Sequence, residues 1–565
     1  MNIIQKIKLS SIKEQGTQKI ILSAALLVLF TFCIYPFIVL FLKIIFPEGQ
    51  LSFRYLSSVL KHSGSLKAFQ NTFVVSLSIS ILSIVIAVPV GWLISRTDLP
   101  WSRRFRSWYC LPYAIPPYIG AMAWIYLANP TTGLLNRVLG ESYLNIYSYF
   151  GLIWVEATFL YTFVLLAVLT SLDRMDSSLE EAARLSGAGP FRVFKDITLP
   201  LIRPAITSGG VLVALAAAAS FGVPALIGNP AKIYLVTTQI YTFQKMGSMK
   251  GLFQAGALSV FLLVLALGLL LLNQWLIQGK QFKIVSGKAS RPSLIELKEW
   301  RWPLFSILSV LLFFLFALPV LGILITALSQ VSGELSFSNL GLGHFYRVFF
   351  EMSETGRALG NSLYLGVMSA TLATFLAVFL SYIQWKTNLK GRHLLEVSAS
   401  FPYSIPGTVV ALAMILAFSR GIFGIGPSLY NTLAMLWIAY LVKFLSLAMK
   451  TIGDGFGQID DSLAEAARVS GAGWLVTLKT IWVPLMKPSI VAAWFLIFMP
   501  AFSELTMTIL LSGPGTETLG TLIFQLQEYA DPTGGSSAVL ALLVIFLVIV
   551  INLTVKKISG GKYGL

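Results

Sequence analysis

Apolar runs of about 20 residues, each enough to cross roughly 30 Å of hydrocarbon as a helix, recur along the whole chain between short polar stretches. Windows of about 19 residues place twelve of them. They lie near 20–46, 72–95, 108–128, 150–170, 205–228, 253–277, 303–328, 361–384, 394–418, 432–449, 488–512 and 536–554. The weak ten-residue alternation of a transmembrane barrel is missing. The pattern predicts an all-α polytopic membrane protein with about 12 transmembrane helices. The first run, Ile20 to Phe46, is too long for a signal-peptide core and has no convincing cleavage site, so it is expected to stay in the membrane.

The polar stretches are not independent of one another. Leu179-Glu-Glu-Ala-Ala-Arg-Leu-Ser-Gly-Ala-Gly189, continuing to Ile197-Thr-Leu-Pro200, returns 284 positions later as Leu463-Ala-Glu-Ala-Ala-Arg-Val-Ser-Gly-Ala-Gly473, continuing to Ile481-Trp-Val-Pro484. Both copies lie between long apolar spans, so chance similarity of apolar helices does not explain them. Leu111-Pro-Tyr-Ala-Ile-Pro116 recurs as Phe401-Pro-Tyr-Ser-Ile-Pro406, and Arg203-Pro-Ala-Ile206 as Lys487-Pro-Ser-Ile490. Asn71 and Asn361 open the second and eighth spans. Six spans per half is an even number, so the halves share one orientation about an axis along the membrane normal. The expected units are 1–290, with its loop near 176–204, and 291–565, with its loop near 460–488.

Charge then fixes the orientation. The chain carries 41 Lys and Arg against 24 Asp and Glu, a net charge of +17, yet only 12% of its residues are charged and 56% are hydrophobic. The basic residues cluster in short loops beside spans, which is the positive-inside pattern rather than a nucleic-acid surface. With the N-terminus inside, Lys6, Lys8, Lys13 and Lys19, the Arg96–Arg106 loop, both repeated loops, the basic linker 280–301, the Lys386–Arg392 loop and the tail with Lys556, Lys557 and Lys562 all fall on the cytoplasmic side. Roughly 29 Lys and Arg lie inside against roughly 10 outside. Cys33 and Cys110 fall in apolar spans, and His62, His344 and His393 are scattered, so neither a disulfide framework nor a metal cluster is expected. Each Gly-Lys, at 279–280, 287–288 and 561–562, lacks the Ser or Thr of a phosphate-binding loop. No covalent chemistry by this chain alone is expected, and no nucleotide or other cofactor bound by it.

Within the first loop, Glu180-Glu-Ala-Ala-Arg184 is strongly helix-forming, with Ser177 or Ser178 as its expected cap and Glu180 and Glu181 in its first turn. Ala182 and Ala183 keep one face thin, so that a partner surface can approach the backbone. Gly187 and Gly189 end the helix, and Pro200 and Pro204 mark the start of the next span. Glu465, Ala466, Ala467, Gly471 and Pro484 repeat these roles. Ionisable groups inside spans are costly and become functional candidates. Glu504, with Ser220 as its first-half counterpart, is expected to line a pathway on the pseudo-two-fold axis; neighbouring hydroxyls or outside water holding the Glu is the other reading. Glu156, positionally paired with Tyr440, is a further candidate, and Lys443 is expected to snorkel to the cytoplasmic surface. The prolines at 112, 116, 117, 402 and 406 are expected to break helices, lining a cavity or serving packing.

The doubled Glu-Ala-Ala loop resembles the coupling loop of binding-protein-dependent ABC importer permeases of the type I, MetI-like class. Phe221-Gly-Val-Pro224 and Glu504-Leu-Thr with Leu511-Ser-Gly-Pro-Gly-Thr-Glu-Thr-Leu519 resemble the fused ferric-iron permeases of that class, over essentially the whole chain. Ser220 stands where that subgroup more often has Asp, which leaves the cation contact on Glu504 alone. The resemblance implies two parallel six-helix MetI-like units in the bacterial cytoplasmic (inner) membrane, with both termini cytoplasmic. It further implies two ABC ATPase subunits, carrying ATP and Mg, gripping the two loops through Glu181 and Glu465, and an extracytoplasmic binding protein docking outside. Substrate, ferric iron in this reading, would pass by alternating access, with Glu504 as a ligand to the transported ion only. Similar permeases carry thiamine and phosphonates, and a hard cation that favours oxygen suits Glu504 no better than cationic thiamine does. An ion-driven secondary transporter shares the span count and parallel duplication, but neither it nor a membrane scaffold needs two matching alanine-rich loops.

Overall fold

The computed structural model describes residues 16, 18–277, 294–334, 336–531 and 533–558. Lys6, Lys8, Lys13, Lys562 and most of the basic linker lie outside these residues. The described chain is helical, with only isolated bridges in place of strands. Nine helices among the described residues are long and apolar enough to cross a membrane. They are α1 (Gln18–Ile45), α2 (Ser63–Arg96), α4 (Tyr149–Arg174), α6 (Pro190–Ala219), α7 (Met249–Ile277), α8 (Lys298–Leu328), α9 (Ser353–Lys386), α12 (Leu433–Gln458) and α16 (Gly535–Ile558). The shorter apolar α3 (Pro117–Ala128) and two bent pairs complete the pattern. One pair is α10 (His393–Tyr403) with α11 (Gly407–Phe418), bent by 105°; the other is α14 (Trp474–Leu485) with α15 (Lys487–Phe502), bent by 77°. Each expected span thus has its apolar helical segment.

Several ends differ from the sequence expectation. Asn71 and Asn361 do not open their helices, which begin at Ser63 and Ser353. The fifth and eleventh spans are not continuous to 228 and 512, because their helices stop at Ala219 and Phe502. The fifth starts at Pro190 rather than Pro200, directly after Gly189, and runs through one wide π turn at Phe194–Thr198. Leu478–Trp482 repeats that wide turn in the second half.

Contacts divide the chain into two compact units. One comprises the described residues of 56–352 with those of 523–546; the other comprises those of 353–522 with those of 18–55 and 547–558, so α1 belongs with the second repeat. In the first unit α4 packs on α2, and α6 packs on both of them and on α7. Small residues set that spacing. A Cβ at Gly91 would lie 2.9 Å from Val168 Cγ1, and one at Gly210 2.9 Å from Ile84 Cδ1. Lipid supplies no hydrophobic drive between helices, so close backbone approach supplies the van der Waals contact instead. The Ser80 hydroxyl adds a 2.7 Å hydrogen bond to the Gly210 carbonyl. In the second unit α9 packs on α12 and α15, and α1 on α11.

Repeated hydrogen bonds tie one end of each bundle. Asn71 Nδ2 donates to the Tyr234 carbonyl at 3.0 Å, and the Val236 N–H donates to Thr72 Oγ1 at 2.9 Å. At the matching place Asn361 Nδ2 donates to the Gly515 and Glu517 carbonyls, and the Leu519 N–H donates to Ser362 Oγ at 2.8 Å. The repeated Asn therefore fastens a loop from within its helix.

Candidate functional site

Each repeated loop forms a short helix, α5 (Ser178–Leu185) and α13 (Ser462–Val469). The serines do not cap the first. Asp176 Oδ1 accepts the Ser178 N–H at 2.9 Å, and Asp460 Oδ1 accepts that of Ser462 at 2.8 Å. An ionised carboxylate is the better acceptor for a free helix N–H. These bonds to Ser178 and Ser462 hold both carboxyls below the usual carboxylate range.

The other end is a Schellman turn in both copies. Gly187 and Gly471 have φ of +86° and +84°, left-handed values that a residue with a Cβ resists. Their turns let the Ala188 N–H reach the Ala183 carbonyl and the Ala472 N–H reach the Ala467 carbonyl, each at 3.0 Å. Ala182 and Ala466 are exposed, Ala183 and Ala467 half-buried, Glu465 exposed and Glu181 half-buried. Leu185 and Val469, at equivalent positions, are each 91% exposed, and Leu179 and Leu463 are also exposed. Each unit therefore presents a small helix with one alanine and two apolar side chains exposed, and in the second unit Glu465 as well.

The in-span candidates form a polar clamp in each unit, between α4 or α12 and the break that follows α6 or α15. In the first unit Ser220, just past the end of α6, donates a short hydrogen bond to Glu156 Oε1, while Thr237 Oγ1 donates to the Ser220 carbonyl at 2.6 Å. Glu156 is buried and its Oε2 has no hydrogen-bond partner. In the second unit Glu504 accepts the Met507 N–H at 2.8 Å, the Thr508 N–H at 2.9 Å and the Thr508 hydroxyl at 2.5 Å. The Tyr440 hydroxyl in turn lies 2.5 Å from Thr508 Oγ1. The carboxylate and the hydroxyl have exchanged places between repeats: Glu on the span and Ser at the break in one, Tyr on the span and Glu at the break in the other. Glu504 is thus held by a neighbouring hydroxyl and two backbone donors.

Lys443 does not snorkel. Its ammonium donates to the Pro402 carbonyl at 3.2 Å, to that of Tyr403 at 3.1 Å, and, in a shorter bond, to that of Ile405. Helical bonding breaks off here because Pro406 has no N–H to donate, and a cation within reach satisfies these carbonyls more cheaply than bare lipid would. Among the described residues no three His, Cys, Asp or Glu side chains converge as a metal centre would.

Sequence reasoning put Glu180 in the first turn of its helix and Arg96 in a basic loop, but missed their pairing and Thr198. Glu180, 4% exposed, lies 2.9 Å from Arg96 Nε and accepts the Thr198 hydroxyl at 2.5 Å. An Arg closing a long apolar span and a Glu on a short polar helix were available as signals, but their pairing depends on tertiary contact.

A repeated set of long apolar helices with an exposed loop helix in each repeat is the architecture of a multi-pass membrane protein. The family described as the binding-protein-dependent transport system inner membrane component matches residues 87–278 and 371–556, more than half of the chain, and the chain belongs to it. The chain is 24% identical, over 89% of its own length and 80% of the relative's, to the putative ferric transport system permease protein FbpB 1 of Haemophilus influenzae. It is also 24% identical to the ferric transport system permease protein FbpB of Actinobacillus pleuropneumoniae, over 88% of this chain and 72% of the relative. The putative 2-aminoethylphosphonate transport system permease protein PhnV of Salmonella paratyphi A is 26% identical over 45% of this chain and 94% of its own. Among solved structures, a bacterial alginate ABC transporter in complex with alginate pentasaccharide-bound periplasmic protein contains a similar chain. That chain is 19% identical, with a TM-score of 0.39, over 47% of this chain and all of its own.

Proposed function

We propose that this permease is the membrane part of an ATP-driven importer, with α5 and α13 as the docking points of two separate ATPase subunits. The observation that carries this is the duplicated helix itself: the same Schellman glycine, the same alanines and the same uncovered apolar pair in both repeats. Glu181 and Glu465 would meet the ATPases, which hold ATP and Mg, and both loops and termini would lie in the cytoplasm. An extracytoplasmic binding protein would deliver cargo from the other side. Partner binding then biases a bistable membrane element between inward and outward openings.

Ferric iron is the cargo this reading favours, because relatives named for ferric transport align along most of the chain while those named for 2-aminoethylphosphonate align along less than half. Glu156 Oε2, buried and without a hydrogen-bond partner, would offer oxygen, the donor a hard cation selects. The test is uptake by proteoliposomes containing this chain, its ATPase and its binding protein, with ferric iron, 2-aminoethylphosphonate and thiamine in parallel. ATP-dependent iron uptake abolished by Glu181→Ala with Glu465→Ala is the expected result. Coupled uptake of another solute alone would keep the importer and remove iron; uptake indifferent to ATP and to both substitutions would overturn the importer.

A further inference from the structure

The two loop helices share a backbone but not a fastening. In the first unit, the guanidinium of Arg96 at the end of α2 is 3% exposed. It pairs with Glu180 on α5 at 2.9 Å and donates to the Leu172 carbonyl near the end of α4 at 2.8 Å. Glu180 also receives the Thr198 hydroxyl from the wide turn of α6. One buried ion pair therefore joins α2, α4, α5 and α6. Charged hydrogen bonds shielded from water are strong and directional, so the four elements are held in one register. The next residues extend the joint to the chain leading into α8. The Ile295 N–H donates to the Arg96 carbonyl at 2.9 Å, the Asp98 N–H to the Ile295 carbonyl at 3.1 Å, and the Leu297 N–H to Asp98 Oδ1 at 2.9 Å.

The second unit keeps only one part of that joint: Lys386 donates to the Ile459 carbonyl just past α12 at 3.2 Å, but no buried acid on α13 meets it. Ala464 replaces Glu180 and Trp482 replaces Thr198. Lys386, at the place of Arg96, reaches Asp461 at 2.5 Å before α13 begins, but Asp461 is 66% exposed, so water and salt screen the pair. The same ammonium lies 4.5 Å from the centre of the Trp482 ring, and Tyr382 stacks on Trp474 at 5.7 Å. Ring faces permit sliding that a buried ion pair, tied also to the Leu172 carbonyl and the Thr198 hydroxyl, does not. The following span differs too. α6 runs unbroken from Pro190 to Ala219, whereas its counterpart bends by 77° at Met486, between α14 and α15.

We propose that the two coupling helices are mechanically unequal: Arg96 and Glu180 are positioning residues that make the first a rigid lever, whereas the second yields at its aromatic seat and at the Met486 bend. The functional half of this rests on the importer reading. A displacement imposed on α5 moves α2, α4 and α6 together, and one imposed on α13 is partly absorbed before it reaches α15.

The mechanical half is testable without any partner. Spin labels at Phe73→Cys with Leu185→Cys report the first unit, and labels at the equivalent Leu363→Cys with Val469→Cys report the second, in the full chain in nanodiscs. All four positions are exposed. The first pair should give a distance distribution at most half as wide as the second, and Glu180→Gln should widen it to match. Equal widths in the unsubstituted chain would overturn the proposal. Should Glu180→Gln misfold, Arg96→Met with Glu180→Met removes both charges together, a change that buried pairs tolerate, and it should widen the first distribution equally. An unchanged width there would also overturn it. In the assembled transporter, Glu181→Ala should lower cargo moved per ATP at least fivefold more than Glu465→Ala does. Equal losses at unequal widths would sink the functional half alone, and no ATP-dependent uptake in the unsubstituted transporter would mark failure of the importer reading instead.

Discussion

Glu504 shows how one carboxylate can be both conspicuous in sequence and structurally occupied. Three donors converge on it, and a Gln offers only one acceptor oxygen for them while turning an N–H₂ toward a backbone N–H. Glu504→Gln is expected to cost about 1–3 kcal/mol of stability, read as a lowered unfolding temperature in nanodiscs. Glu156→Gln should cost about 1 kcal/mol less than that, because only one oxygen of Glu156 is engaged. Both carboxylates were legible as candidates because charge inside a span is rare. The exchange of carboxylate and hydroxyl between repeats follows from the 284-residue offset once contacts are known, but a one-dimensional alignment does not say that positions 156 and 220 touch. Outside the spans, Asp531 gives a pH signature. Burial would raise its carboxyl, but the Thr533 hydroxyl, the Ser536 and Thr533 N–H groups and nearby His344 outweigh burial and hold it below the ordinary value of 3.8. A lowered native value means the carboxylate's stabilisation is complete above that ordinary value and is lost as pH falls through the native one. Asp531→Asn should therefore flatten the acid limb of thermal stability below about pH 4 and lower stability at pH 7; an unaltered acid limb would contradict this.

At the scale of elements, the periodic and local signals read correctly and the interruptions did not. Twelve apolar segments, the loop helices and their terminating glycines follow from hydropathy and from the few residues that tolerate left-handed backbone. The breaks at Ser220 and Glu504 lie in stretches apolar enough overall for hydropathy to run through them; the backbone turns extended at Ser220, and Pro224 and Glu504 head the short helices that follow. The start of α5 was misread for a related reason: Ser and Asp are both good caps, and only the backbone path brings Asp176 rather than Ser177 to the free N–H. Gly187→Ala and Gly471→Ala test the elements themselves. No atom would obstruct either Cβ, so the expected cost of roughly 1–2 kcal/mol is pure backbone strain at each turn. Membrane insertion should be unchanged while ATP-driven uptake falls; full uptake in both variants would show that the turn geometry does not matter.

For the whole molecule, orientation is the property on which every functional assignment depends, and it rests on where cations lie rather than on any packed contact. Two features make it directly measurable. The native thiols are silent, since Cys33 and Cys110 are 1% and 5% exposed and out of reach of an aqueous reagent. Well-exposed positions also exist in polar segments that the positive-inside count puts on opposite sides: Val138, 70% exposed, in the stretch between α3 and α4, and Leu185, 91% exposed, on α5. In intact cells a membrane-impermeant maleimide should label Val138→Cys and leave Leu185→Cys unlabelled until the membrane is opened. The reverse pattern would place α5 outside, away from cytoplasmic ATP, and no coupling role for Glu181 or Glu465 could survive it. The expected pattern puts both Schellman-ended helices on the nucleotide side. There the difference between a buried Arg96–Glu180 joint and a screened Lys386–Asp461 pair becomes a difference in how the two halves receive force.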